Sequence, residues 1–250
     1  MTLSTALRDL LAAFLQRHGA PVPPRLEVDA PDAWHLRVCC DLPQAPGLCI
    51  RSLTATDAPV LDAFGKSLGA NTKHLFCPYP WDDPEALPGA FQHAVDQAVR
   101  RVDVSYLIET GAGVPIGHFF LWKAGGNPHS QAQGLQIPEL GVALVDGWQG
   151  KGLGALAVRI LQAVARDLLA DAIELTTAMT NDAGWQTYQR CGFEYVGVLR
   201  IPLGVDVTDA TAGAGQGVQF RDERQMACVL NEPNRARVLA YLAAKREPGA

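Results

Sequence analysis

The stretch from Glu139 to Gly154, ELGVALVDGWQGKGLG, limits the fold more than any other part of this chain. An apolar run of strand length (139–145) passes through an Asp-Gly turn into a glycine-rich segment. A helical period follows over 153–169, with Leu156, Ile160, Val164 and Leu168 on one stripe. A strand that turns through glycines into an amphipathic helix requires a sheet with that helix packed on it. The first N–H groups of such a helix lack acceptors and attract anions, and the helix dipole adds to the attraction. Glycines let a diphosphate approach the backbone with no Cβ in the way. Gln149, Gly150, Lys151, Gly152, Leu153, Gly154 and Ala155 are therefore candidate phosphate-binding residues, and Lys151 can add a point charge.

Taken alone, this segment also fits other loops. It can be an ordinary strand-to-helix turn. Gly150, Gly152 and Ala155 also match the dinucleotide pattern G-x-G-x-x-A, with Glu174 roughly twenty residues on. That pattern should follow its strand directly and open its domain. Here residues 146–149 intervene and more than half of the chain comes first. Glu174 also falls near the start of its strand, whereas a ribose-binding acid sits near the end.

The remaining chain supplies elements for a mixed sheet. Residues 4–18 are expected to form an amphipathic helix, with Leu7, Leu10, Leu11, Phe14 and Leu15 on one face and Gly19 as its stop. Strands are expected at 26–28 and 34–42, a turn-rich link at 43–47 and a strand at 49–53. Thr56 or Asp57 caps a helix to about Leu68, 74–88 is an irregular loop, and 90–101 is helical. A hairpin pairs 104–109 with 116–123 around Gly111-Ala112-Gly113, and 124–136 is a loop. A strand at 173–178 and a helix at 183–190 follow, then strands at 195–201 and 225–230 with a loop at 205–217 between them. A helix closes the chain over 233–245. This order predicts a mixed α/β (α+β) fold, a mixed central sheet flanked by helices. Residues 1–47 are an N-terminal helix-strand extension or small subdomain, and 48–250 are the main domain.

Composition narrows the function. With 48% apolar and 19% charged residues the chain can build a core. The net charge of −5 and the lack of a basic block argue against nucleic acid and suit a cationic substrate. No run reaches the ~18 apolar residues of a membrane span, and 10–15 is too interrupted for a signal peptide. Six cysteines without a C-x-x-C pair read as reduced, buried thiols in a cytoplasmic protein, with no zinc site.

Two spacings together carry a resemblance. Gln149-x-x-Gly152-x-Gly154 resembles the Q/R-x-x-G-x-G/A motif of the GNAT superfamily of N-acetyltransferases. Asn181, Tyr188, Gly192 and Phe193 resemble that family's N-x6-Y-x3-G-F signature, every spacing kept. The resemblance spans about 48–230 and is specific over 139–197, while 1–47 matches nothing in it. It implies acetyl-CoA as co-substrate, no metal, and direct transfer to a primary amine. The acceptor is a small-molecule or peptide amine, and a homodimer is left open. It also implies that backbone groups of Val142, Ala143 and Leu144 pair with the pantetheine arm, and that Asn181 contacts it or caps the next helix.

Acetyl transfer needs a neutral amine, a donor for the thioester oxyanion and an acid for the departing thiolate. By resemblance Tyr188 is the candidate acid and Glu139 the candidate base. Packing beneath Phe193 and a solvated strand start are the plainer roles for the same two residues. His118, Glu109 and His74 are reserve bases. Phe76, Tyr79, Trp81, Asp82 and Asp83 form either an aromatic, acidic pocket for a cationic amine or a packed loop. Cys191 stands where relatives often carry Leu, and a buried thiol packs there. The rival functions are a non-catalytic acyl-CoA-binding module on the same fold and an NAD(P)-binding oxidoreductase.

Overall fold

The computed structural model describes residues 2–20, 25–202 and 220–245. Among them, nine strands form one sheet in the order β1-β2-β3-β4-β5-β6-β7-β9-β8. The strands are β1 (Leu26–Asp32), β2 (His35–Leu42), β3 (Ala45–Ser52), β4 (Val104–Glu109), β5 (Pro115–Trp122), β6 (Glu139–Leu144), β7 (Ala172–Ala178), β8 (Glu194–Pro202) and β9 (Phe220–Val229). All neighbours are antiparallel except β6 and β7.

Helices cover both faces. α1 (Leu3–Arg17) and α6 (Leu153–Asp167) lie on one side. They bury Leu7, Leu11, Phe14 and Leu15 with Leu156, Ile160, Leu161 and Val164 in the main core. Burying each such side chain contributes about 1.5–3 kcal/mol. α2 (Ala58–Ser67), α3 (Ala70–Leu75) and α4 (Leu87–Val99) cover the other side. A second core there gathers Leu61, Phe64, Phe76, Tyr79, Phe91 and Val95 against Leu107 and Phe120. The short α5 (Pro128–Gln131), α7 (Asp182–Arg190) and α8 (Arg235–Ala244) complete the chain.

Several elements differ from the sequence expectation. Residues 43–47 do not form a separate link. Leu42 pairs with Ala45, so β2 and β3 join in a tight hairpin, and the sheet runs unbroken from β1 into β4. The expected loop 74–88 contains the end of α3 and the start of α4, and 124–136 contains α5. β9 starts at Phe220, not 225, because Arg221, Glu223 and Arg224 pair across the ladder despite their charge. Asp57 is the N-cap residue of α2 as expected, with its carbonyl accepting from Val60 N and Leu61 N at 2.9 Å, but its side chain makes no capping bond. Its carboxylate instead accepts from Arg51 Nη1 at 2.7 Å and Nη2 at 2.9 Å, and from Thr54 N at 2.6 Å. The expected loop 205–217 lies outside the described residues. The cysteines are free thiols, of which Cys39, Cys40, Cys191 and Cys228 are buried and Cys77 is exposed, contrary to the uniform burial expected. No helix among the described residues is long and apolar enough to cross a membrane.

Candidate active site

The sheet opens between its two parallel strands. β6 is paired along its whole length to β5, from Trp122↔Glu139 to Gly117↔Leu144. Toward β7 it pairs at Glu139↔Glu174. Beyond that rung no further β6–β7 pairing occurs among the described residues, and the backbone groups of Leu140, Val142 and Leu144, which alternate with those turned to β5, face the gap. A backbone edge left unpaired in this way can accept an extended amide-containing ligand. Val142, Ala143 and Leu144 line the opening.

The turn at the mouth is built by side chains. Gln149 Nε2 donates to Leu144 O at 2.9 Å and to Thr72 Oγ1 at 3.0 Å. The Thr72 hydroxyl in turn donates to Asp146 Oδ1 at 2.6 Å. The Gln149 amide is thus occupied by protein, tying the turn to β6 and α3. Gly150 and Gly152 have φ of +71° and +83°, a conformation that costs an L-residue about 1–2 kcal/mol. α6 starts at Leu153, so the N–H groups of Leu153, Gly154 and Ala155 have no carbonyl of their own helix to reach. Leu153 is fully buried and does not line the depression, unlike Gly150, Lys151, Gly152, Gly154 and Ala155 around it. Lys151 Nζ lies 4.7 Å from the Trp148 ring centroid, where it forms part of the rim.

One depression of about 2160 Å³ joins these parts. It is lined by β6, the glycine turn, Asn181, Tyr188 and Glu139 together. Asn181 caps α7 as expected, with Oδ1 accepting from Gly184 N at 3.0 Å while Nδ2 donates to Thr177 Oγ1 at 2.9 Å. Tyr188 is half-buried, with its ring 5.8 Å from that of Phe193. Its hydroxyl has no hydrogen-bond partner among the described residues. Burial pushes its pKa up to about 12, so it holds its proton at neutral pH. Glu139 is half-buried at the start of β6. Burial, and then the nearby Glu174 carboxylate, raise its pKa to about 7, against the opposing pull of Lys245 and Lys123. Lys245 Nζ itself donates to both oxygens of Glu174 at 2.8 Å.

Two of the three reserve bases, His118 and Glu109, sit away from the depression. His118 is buried and bonded to Ser105 Oγ at 2.8 Å, and burial lowers its pKa to about 3. Glu109 is paired with Arg51 at 2.7 Å. His74 is on the wall of the depression, and its carbonyl accepts from Arg221 Nη1 at 2.7 Å. The aromatic loop is mostly packed. Tyr79 meets Phe91 at 4.8 Å and Trp81 at 5.3 Å, and the cation over Trp81 is the chain's own Lys73. Phe76, Tyr79, Trp81, Asp82 and Asp83 still form a wall of the depression. Sequence reasoning missed Thr72, His18 and the Arg221–Glu223 ion pair, all of which line it. Only the charge-rich alternation at 220–225 held a signal for the last of these.

A mixed sheet that splits between two parallel strands, with a glycine turn and helix at the split, is an acetyltransferase architecture. The chain belongs to the GNAT acetyltransferases: the family model described as "Acetyltransferase (GNAT) domain" matches residues 47–194. No curated protein sequence matches the chain. Solved structures share the fold. RimJ from Mycobacterium smegmatis, in complex with CoA-disulfide, is 18% identical at a TM-score of 0.54, covering 89% of this chain and 93% of its own. Spermidine N-acetyltransferase from Vibrio cholerae, in complex with CoA and spermine, is 18% identical at 0.51, covering 73% and 95%. The ribosomal-protein-S5-alanine acetyltransferase from Vibrio fischeri is 15% identical at 0.54, covering 73% and 92%.

Proposed function

We propose that this protein transfers the acetyl group of acetyl-CoA to a primary amine, with Tyr188 as general acid and Glu139 as base. The observation that carries this reading is that Glu139, Tyr188, the β6 edge and the glycine turn all line one depression. The site fits coenzyme A. A Cβ on Gly150 would meet nothing within 4 Å, so the turn is open to a diphosphate. The N–H groups at the start of α6 are aligned for the anion. The gap beside residues 142–144 fits an extended pantetheine arm.

Acetyl-CoA supplies an activated acyl group as a thioester. The residues of this chain then manage protons. An alkylammonium with pKa near ~10.4 must lose a proton before it can attack. With a pKa of about 7, Glu139 is ionised in a substantial fraction of molecules at neutral pH and basic enough to accept that proton. Tyr188, kept neutral by burial, donates to the leaving sulfur. Asp82 and Asp83 add negative charge on one wall of the same space, which suits a cationic acceptor, while Glu223 there is paired with Arg221. Both a polyamine and a peptide amine meet that description, and the solved structures of similar fold include a spermidine N-acetyltransferase and a ribosomal-protein-S5-alanine acetyltransferase.

The test is thermal melting with CoA and acetyl-CoA, followed by an amine screen read by CoA release. A ligand at a hundred times its Kd adds about 2.7 kcal/mol of stability. No shift with either ligand would overturn the reading.

A further inference from the structure

His18 ends the first helix and lies well before the residues matched by the family model, yet it reaches the glycine turn. A Cβ placed on Gly152 would lie 2.6 Å from His18 Nε2 and 3.4 Å from a Phe14 ring carbon. The ring is fixed in place. Its Nδ1 is 2.9 Å from Phe14 O, and its centroid is 4.0 Å from that of Phe14. A carbonyl only accepts, so Nδ1 carries a hydrogen and Nε2 is the nitrogen turned to the turn. Helix α1 is itself held by buried Leu3, Leu7, Leu11, Phe14 and Leu15, so this placement is set by core packing. His18 is half-buried, and it lines the depression together with Gly150, Lys151 and Gly152.

We propose that His18 is a ligand of the coenzyme A diphosphate, donating Nε2–H to a phosphate oxygen held on the turn at 150–154. This rests on the coenzyme A reading above. With Nδ1–H given to Phe14 O, donation from Nε2 as well uses the ring with a hydrogen on both nitrogens. The N-terminal segment thereby completes the co-substrate site of the domain that follows it.

Calorimetric titration of CoA into the full chain tests this with three variants. His18→Ala removes the donor. His18→Phe keeps a ring on Phe14 without any N–H and serves if the alanine variant does not fold. His18→Gln keeps an N–H at similar reach. A charge-assisted hydrogen bond corresponds to about a tenfold or greater change in Kd. The expected result is about tenfold weaker binding for His18→Ala and His18→Phe, with most of the loss restored by His18→Gln. Donor-free variants within twofold of the native Kd would overturn the proposal while leaving the coenzyme A reading intact. A glutamine variant as weak as alanine would assign His18 to packing and overturn it too. Absence of CoA binding by the native chain would instead remove the coenzyme A reading itself.

Discussion

Glu139 and Glu174 are direct partners across the rung that joins β6 to β7, and Lys245 bonds both oxygens of Glu174 at 2.8 Å. Two carboxylates therefore share one ammonium in a site of restricted solvation. The folded state favours the protonated form of Glu139, whose pKa rises to about 7. Below its ordinary value this group costs the fold nothing. The cost grows as pH rises from that value to about 7, and is complete above it. Glu139→Gln should accordingly raise Tm at pH 8 and leave it nearly unchanged at pH 4, while activity falls. Equal Tm differences at both pH values would show that the Glu139 carboxylate is not strained by its surroundings.

The same pair sets a pH profile. If Glu139 is the base, kcat should rise with pH through about 7, as the carboxylate ionises. Glu174→Gln removes a neighbouring negative charge, so the rise should move to lower pH. Lys245→Met removes a positive one, so it should move to higher pH. Opposite shifts in the two variants, measured by kcat from pH 5.5 to 8.5, identify Glu139. A profile unmoved by both would assign the base to another group or to water.

Tyr188→Phe retains the ring against Phe193 and removes the hydroxyl. We expect kcat to fall by about 10²-fold or more, with the KM for acetyl-CoA little changed. Single-turnover measurement separates this from slow product release. An unchanged chemical step would exclude Tyr188 as the acid.

Gln149→Ala should act through the turn. It leaves Leu144 O and the Thr72 hydroxyl oxygen each without the donor they have now. The loss is about 1–3 kcal/mol of stability, readable by denaturant titration. CoA binding should weaken severalfold while kcat at saturation changes less. A large loss of kcat with intact CoA binding would place Gln149 nearer the chemistry.

Much of the fold could be read from residue patterns. The helix at α1 follows from apolar residues at 7, 11, 14 and 15, and α6 from 156, 160 and 164, because helical period survives any tertiary arrangement. β9 was underestimated because charged residues within a strand mimic a loop, and its Arg221–Glu223 pair is a product of neighbours in space. The segments 74–88 and 124–136 hid helical turns because proline and glycine mark breaks more strongly than four to six residues mark a helix.

The sequence by itself determined that a glycine turn joins a strand to a helix, and that Asn181, Tyr188, Gly192 and Phe193 follow at family spacing. Those are local properties, fixed by backbone conformation and side-chain period. Only the tertiary structure decided that β6 and β7 part beyond Glu139, that Glu139 and Glu174 sit side by side, and that His18 reaches Gly152. The physical reason is that burial and charge proximity arise from residues far apart in the chain. They shift a pKa or aim a ring nitrogen through packing that no local pattern encodes.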